Sequence, residues 1–471
     1  MTAVTLYPDQ TELVARVSET MRRSKSVLMQ SATGSGKTRM AANMIDRTRI
    51  KGNRCGFLVP RKSLLAQTHE TLNEFSIPHG VVAAGWRPSP FERVKLISAP
   101  TLSRRLDTAP TLDIVFIDEC HFGGADLDRI IQHYKSAGSW VIGLSATPMK
   151  TNGQGMGEWY DQMVCGPQIG WYIENKRLSE FRLFAPDTPD LSALRVTGGQ
   201  YVANDVDSYM MSDERGKVLV GSAAKHYANN AMGLRNVSFC TSVKHAKMTA
   251  QIFNDAGIPS AAVSGESDPD YLKRVIRAFA KGEILNVCNA QLWGFGFDLA
   301  QASGVDVTIE SMSDLCPSKS LPWQAQKWGR VLRMKDKPAM IFDHAGNALE
   351  HGMPDQDREW SLEAAKKRGA GGEKTEPTRQ CGECYFVMRP CPTCPNCGHV
   401  FPIMGRQIEE VEGELIEVSE TAPRMKKPQI VAIIAKEKGL KGLLEYAKEE
   451  EYKDPLAWAK RQLKVRRLPI K

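Results

Sequence analysis

No apolar run in the 471 residues approaches the roughly 20 needed to cross a bilayer. The longest candidates, such as IVAIIA (430–435), have the length of a helix face or a buried strand. The first residues, MTAVTLYPDQ, lack a basic region followed by an apolar core. No secretory leader is expected, and a soluble cytoplasmic protein with no membrane partner is. No internal repeat of 20 to 50 residues is present, which argues against a solenoid or propeller. Neither sign of charge dominates: 62 Lys+Arg against 54 Asp+Glu leave +8, a mild excess compatible with a polyanionic partner. At 42% hydrophobic and 25% charged residues, the chain is neither disordered nor collagen-like, and its length suits several domains.

Cysteine is not scarce. Five of the eleven fall between Cys381 and Cys397, and the rest are scattered. In a cytoplasmic chain such a cluster reads as metal binding, not as a disulfide framework.

Residues 1–150 alternate apolar runs with amphipathic stretches. VLMQ (27–30), CGFLVP (55–60), VKLISA (94–99), DIVFID (113–118) and WVIGLSA (140–146) read as strands, and 39–50 and 64–75 as helices. Residues 151–217 are irregular. A second alternating region follows, with VSFC (237–240), SAAVSG (260–265), ILNVCN (284–289), VDVTIE (305–310) and AMIFD (339–343) as strands. The pattern predicts an α/β protein with two parallel-sheet domains, 1–165 and 217–350, and a connector over 166–216. KKRGAGGEKTEPT (366–378) lies in a linker spanning 351–378. A cysteine module over 379–403 precedes an acidic spacer and a helical basic end over 404–471.

SATGSGKT (31–38) follows the first strand directly and opens a helix, the context a P-loop needs. Gly34 and Gly36 let the backbone curl around phosphate oxygens, and the N–H groups of Ser35 and its neighbours hold the anion. Lys37 would reach the outer phosphates of ATP and Thr38 would ligate Mg²⁺. IVFIDECH (114–121) supplies a buried strand with Asp118 emerging at its C-terminal end, where open α/β sheets bind ligands. Asp118 would hold Mg²⁺ through water, and Glu119 would polarise the attacking water.

With these segments in place, the sequence resembles the DExH-like branch of superfamily 2 helicases. SATGSGKT is similar to motif I, LVPRKSLLAQT (58–68) to Ia, ISAPTL (97–102) to Ib, DECH (118–121) to II and LSATP (144–148) to III. SFCTSVKHA (238–246) resembles motif IV, NAQLWGFGFDLA (289–300) motif V and QKWGRVLR (326–333) motif VI. The resemblance implies two RecA-like domains with ATP between them. It assigns Gln10 to adenine, Arg61, Thr68 and Thr101 to the nucleic-acid backbone, and His121, Ser145 and Thr147 to coupling. It places Gly296 and Asp298 against the nucleotide from the second domain. Gln326 joins the catalytic set, and Arg330 and Arg333 are the arginine fingers. Positive charge at the equatorial oxygens of a transferring phosphoryl group is worth roughly 10³–10⁵ in rate.

CGEC (381–384) and CPNCGHVF (394–401) read as two zinc knuckles, with Cys381, Cys384, Cys394 and Cys397 as Zn²⁺ ligands. Cys391 competes, because CPTC (391–394) has the same spacing; Gly398 after the last cysteine favours the first set. A closed Cys₄ site is structural, and its module is expected to contact nucleic acid or protein. A motor followed by a zinc ribbon resembles the RadD type of DNA-repair helicase and similar phage-encoded proteins. The basic end (Lys460, Arg461, Lys464, Arg466, Arg467 and Lys471) is a candidate phosphate grip, and Trp458 either a core contact or a base platform.

The expected activity is an ATP-dependent helicase or translocase acting as a monomer on DNA rather than RNA, in repair, recombination or replication, with a repair or replication protein as a further partner. The alternative is a non-unwinding, nucleic-acid-stimulated ATPase or an ATP-gated adaptor whose zinc ribbon recruits a partner. No nuclease signature accompanies these motifs.

Overall fold

The apolar strands of the N-terminal region assemble into one seven-stranded sheet. Its order is Gly80–Val82, Val94–Ser98, Cys55–Val59, Ile114–Ile117, Trp140–Ser145, Ser26–Gln30 and Gln162–Cys165. Every pairing is parallel. Helices cover both faces of such a sheet, so its strands are apolar throughout instead of alternating with polar residues. Val27, Met29, Phe57 and Phe116 enter the core on one face, and Leu28, Leu58, Val115 and Ile117 the core on the other. This sheet and its helices form the first lobe.

The computed structural model describes residues 4–469 except 88, 90, 151, 187–188, 198–199, 213–215, 291–306, 364–375, 403–426, 451, 453 and 467. The motif V residues Gly296 and Asp298, the acidic stretch 404–423, Arg467 and Lys471 lie outside the described residues. The chain divides into two compact units, Met1–Ile403 and Met404–Lys471. Among the described residues no helix is long and apolar enough to cross a membrane.

The second lobe is a six-stranded parallel sheet ordered Ser260–Ser264, Asn286–Ala290, Asn236–Cys240, Ser311–Asp314, Ala339–Asp343 and Phe181–Phe184. Two of its members differ from the sequence expectation. The irregular stretch supplies Phe181–Phe184 as an edge strand. The apolar run expected as a strand over 305–310 gives way to the polar SMSD, Ser311–Asp314. The physical reason is a buried hydrogen-bond network. Ser311 Oγ donates to Asn236 Oδ1 (2.9 Å), and Asn236 Nδ2 donates to Asn286 Oδ1 (2.9 Å) and Ser313 Oγ (3.2 Å). Asp314 receives Lys327 Nζ at 2.7 Å, with both side chains buried, and also the amides of Gln324 and Asn347 at 2.9 Å. Satisfied polar groups can occupy a core strand that an apolar pattern search passes over.

The cysteine module packs on the edge strand of this second sheet. Arg379–Gln380 pairs antiparallel with Val387–Met388, Phe386 bridges Phe184, and Ala185 N donates to Tyr385 O at 3.0 Å. Gln380 and Arg182 add side-chain hydrogen bonds to Ala185 O and Asn396. The module thus covers backbone groups that a bare edge would expose.

Part of the expected linker is ordered. After helix Asn347–His351 the chain returns to the first lobe, where Leu362 O accepts from Met156 N and Gly157 N, each at 2.9 Å. On the way, Arg358 exchanges two hydrogen bonds with the side chain of Gln168, at 2.8 and 2.9 Å.

The C-terminal unit consists of helices Lys427–Glu437, Gly439–Glu449 and Pro455–Val465. Val431, Ala435, Leu443, Ala459 and Leu463 form its small core. Trp458 stacks on Tyr452 with centroids 4.7 Å apart, so it is a packing residue of this unit. Lys460, Arg461 and Lys464 are exposed along its last helix.

Candidate active site

The C-terminal ends of the first-lobe strands converge on one cleft. Strand Ser26–Gln30 runs into the glycine-rich turn, and helix Lys37–Ile50 leaves it. Gly34 and Gly36 have φ of +86° and +89°, conformations that side chains rarely adopt. A Cβ on Gly36 would also lie 2.6 Å from Gln10 Nε2. Ser31 and Ser35 close the turn through a 2.6 Å hydroxyl contact. The turn directs N–H groups of a 14-residue helix at the cleft, with Lys37 and Thr38 on its wall.

Asp118 and Glu119 follow strand Ile114–Ile117 into the same cleft. Burial, and then the neighbouring charge of Glu119, push the Asp118 carboxyl well above the usual carboxylate range, while Lys37 opposes the rise. Such a carboxylate gains from a cation beside it. With Thr38 on the facing wall, the residues fit Mg²⁺. Glu119 adopts φ 44°, a left-handed conformation uncommon outside glycine and frequent at functional sites. Its Oε1 lies 4.0 Å from Lys37 Nζ. Its Oε2 is buried without a hydrogen bond although His121 Nδ1 is only 3.4 Å away, because that nitrogen bonds Ser145 Oγ at 2.9 Å. Ser145 Oγ in turn donates to Thr147 O at 2.7 Å. Burial lowers the His121 pKa to about 4, so the ring is neutral.

The second lobe closes the cleft. Helix Leu321–Val331 brings Gly329, Arg330 and Arg333 to it. Gly329 packs so tightly on the P-loop that a Cβ would sit 2.1 Å from Thr33 Cγ2. Gln326 Nε2 approaches His121 Nε2 at 3.4 Å. The cleft, about 620 Å³, therefore holds Lys37, Thr38, Asp118, Glu119, Arg330 and Arg333 together.

Three of the expected positions have the following surroundings. The Gln10 amide is already engaged, accepting from Tyr7 N (3.0 Å) and donating to Ser35 O (2.7 Å), which leaves half its capacity for a base. Thr68 is buried, donates to Leu64 O at 2.9 Å and lines the nucleotide cleft instead of an open surface, so it is not placed to meet a nucleic-acid backbone. Thr101 is half-buried on the short helix Ala99–Leu102. Arg177 lies in no motif and is not singled out by sequence pattern. Its guanidinium lies 3.6 Å from the centre of the Tyr7 ring, in the same cleft.

A second cleft of about 590 Å³ spans both lobes. Arg61 and Phe122 line it from the first lobe, Thr241, Cys316 and Trp323 from the second, and Tyr201 from the connector. Burial lowers the Arg61 pKa, so an anion beside it would be favoured.

In the cysteine module, Sγ atoms of Cys381, Cys384, Cys394 and Cys397 lie within 4.8 Å of one another. Cys381–Cys397 and Cys384–Cys394 are separated by 3.6 and 3.7 Å. A zinc–thiolate tetrahedron with bonds of about 2.3 Å has edges near 3.8 Å, so the four residues fit Zn²⁺. Cys391 Sγ instead meets Met388 Sδ at 3.5 Å and Thr393 O at 3.1 Å, outside the set. The residue after each knuckle, Tyr385 or Gly398, is left-handed at φ 60° or 75°.

Comparison with known proteins agrees with this architecture. Residues 3–150 match the family described as type III restriction enzyme, res subunit. A 51.5 kDa protein of Lactococcus phage (isolate 7-9) is 30% identical over 400 residues, covering 83% of this chain and 82% of the phage protein. The putative ATP-dependent helicase IRC3 of Saccharomyces cerevisiae is 26% identical over 344 residues, covering 69% of this chain but 49% of the yeast protein. The crystal structure of the DUF1998 helicase MrfA bound to DNA and AMPPNP shares the fold over 72% of this chain and 48% of that one, with a TM-score of 0.51 and 17% identity.

Proposed function

Since the chain belongs to the family of the 51.5 kDa Lactococcus phage protein, whose name carries no activity, we propose from the geometry that it is an ATP-driven motor of helicase superfamily 2 that moves on DNA. The observation that carries this is the meeting of Arg330 and Arg333 of one lobe with Lys37, Asp118 and Glu119 of the other in a single cleft. ATP binds with its phosphates on the P-loop. Thr38 and Asp118 would hold Mg²⁺, which would neutralise charge on the phosphate oxygens. Glu119 orients the attacking water through its unbonded Oε2. Arg330 and Arg333 stabilise the transferring phosphoryl group only when the lobes are closed, so hydrolysis follows closure.

The second cleft supports the choice of track. It joins both lobes, carries the cation Arg61, and offers Phe122, Tyr201 and Trp323 as stacking faces for unpaired bases. A strand held there bridges the parts that ATP draws together. DNA is the track favoured by the DNA-bound helicase that shares the fold. A motor followed by a four-cysteine module supports a RadD-like type, acting as a monomer in repair, recombination or replication with a protein partner of that machinery.

Steady-state ATP hydrolysis, measured without nucleic acid and with single-stranded DNA, duplex DNA or RNA, tests this reading. DNA should stimulate turnover strongly, and Lys37→Ala should abolish it. Equal rates in all four conditions would defeat the proposal. Strand displacement on a forked DNA then separates unwinding from translocation alone.

A further inference from the structure

Three consecutive residues of the connector touch three parts of the nucleotide cleft. Arg177 lies over Tyr7 and pairs with Asp9 through Nη1 at 2.8 Å. The Asp9 carboxylate is nearly buried and also accepts from Tyr172 OH at 3.3 Å, so this end of the contact is anchored. Leu178 is buried beside the P-loop, where its Cδ2 would stand 2.9 Å from a Cβ on Gly34. Leu178 also forms an antiparallel bridge with Arg333. Ser179 then fastens the backbone of the arginine-bearing segment: its N–H donates to Leu332 O at 2.9 Å and its hydroxyl to Arg333 O at 2.7 Å. Lys335 Nζ donates to the same hydroxyl at 3.0 Å.

We propose that Arg177 is a positioning residue that transmits occupation of the base end of the cleft to Arg333. This rests on the reading of the cleft as a site of ATP hydrolysis. Tyr7 is half exposed in the cleft and, with the guanidinium upon it, presents a flat cationic stack that a nucleobase fits by its π-face. A base on that stack fixes Arg177. Because Leu178 and Ser179 follow without a break, the backbone of Arg333 is fixed with it. Arg177 touches no reacting atom in this arrangement. Its effect is on how well a second-lobe cation is aimed, and small misplacements of such groups reduce turnover steeply. The link also makes hydrolysis sensitive to the connector, which joins the first sheet to the edge strand of the second.

The test is a double-variant cycle on the full-length protein, with DNA-stimulated turnover and the affinity for a fluorescent ADP analogue as separate readouts. Arg177→Ala should lower kcat by about ten- to a hundred-fold, with a smaller change in ADP affinity. Arg177→Ala combined with Arg333→Ala should be no slower than Arg333→Ala alone, because the first residue acts through the second. Tyr7→Leu, at a half-exposed position outside the connector, should reproduce the loss in kcat and guards against misfolding of the Arg177 variant. Additive losses in the double variant, or unchanged kcat in Tyr7→Leu, would overturn the proposal. Absence of turnover in the unaltered protein would instead overturn the reading on which it rests.

Discussion

His121 Nε2 and the side-chain amide of Gln326 meet at 3.4 Å across the two lobes. The contact is buried on both sides. Since His121 Nδ1 is engaged by Ser145, its Nε2 is the acceptor for the Gln326 N–H. One imidazole thus connects the strand end beside Glu119, the turn at Ser145 and Thr147, and the helix that carries Arg330.

Breaking that contact should separate binding from coupling. Gln326→Leu removes the donor and leaves His121 and its Ser145 partner in place. ADP affinity should change little, while DNA stimulation of hydrolysis should fall by about ten-fold or more, in line with loss of one positioning hydrogen bond. Stimulation equal to that of the unaltered protein would show that the contact carries no coupling.

At Gly329 the second lobe lies directly against the P-loop of the first. Gly329→Ala would place a methyl 2.1 Å from Thr33 Cγ2 and 2.5 Å from its Cβ, a clash that side-chain rotation does not relieve. The expected result is a folded protein that binds nucleotide on the P-loop but hydrolyses it about a hundred-fold more slowly. Melting temperature, ADP affinity and turnover measured together check this; near-normal turnover would mean that the active arrangement does not need this approach.

Metal content distinguishes the cysteines. The unaltered chain and Cys391→Ser should each retain a single zinc by elemental analysis, and Cys394→Ser should lose it. Since the module covers the edge strand Phe181–Phe184, zinc loss should also lower the melting temperature of the second lobe. Retention of metal in Cys394→Ser would reopen the ligand assignment.

Four buried histidines set the response to acid. Burial lowers the pKa of His121, His245 and His351 to about 4, and burial followed by the neighbouring His226 lowers that of His344 to about 3. Their unfolded value is about 6.5. Neutral in the fold and protonated once unfolded, they contribute stability that is complete above about pH 6.5 and is lost as pH falls towards 4. Each contributes a slope of up to about 1.4 kcal/mol per pH unit in that window. His344 is the clearest case, because neither ring nitrogen has a hydrogen-bond partner. Urea denaturation at pH 7 and pH 5 should show a smaller loss for His344→Phe than for the unaltered protein; equal losses would contradict the assignment.

The sequence made most of this architecture legible because buried parallel strands are written as short apolar runs. The phosphate turn was equally legible, since glycine at positive φ, lysine and a strand-to-helix transition are local. Two features were not. Ser311–Asp314 is polar, and its partners Asn236 and Lys327, which come from other elements, make it a core strand. Arg177 lies in no motif, and its relation to Tyr7 and Arg333 exists only once the connector has folded between the lobes. Thr68 illustrates the converse: its motif assigns it to a nucleic-acid backbone, but its hydroxyl turns inward to Leu64 O.

The return of the chain from the second lobe to Leu362 has a mechanical consequence. A body tied to another at one point swings about any axis through that point. Here the outgoing connector and the returning segment cross side by side, latched by Gln168 and Arg358. A two-ply crossing resists twist and sideways slip far better than it resists bending. The crossing therefore favours opening and shutting of the lobes, like a book about its spine, over twisting or sliding of one past the other.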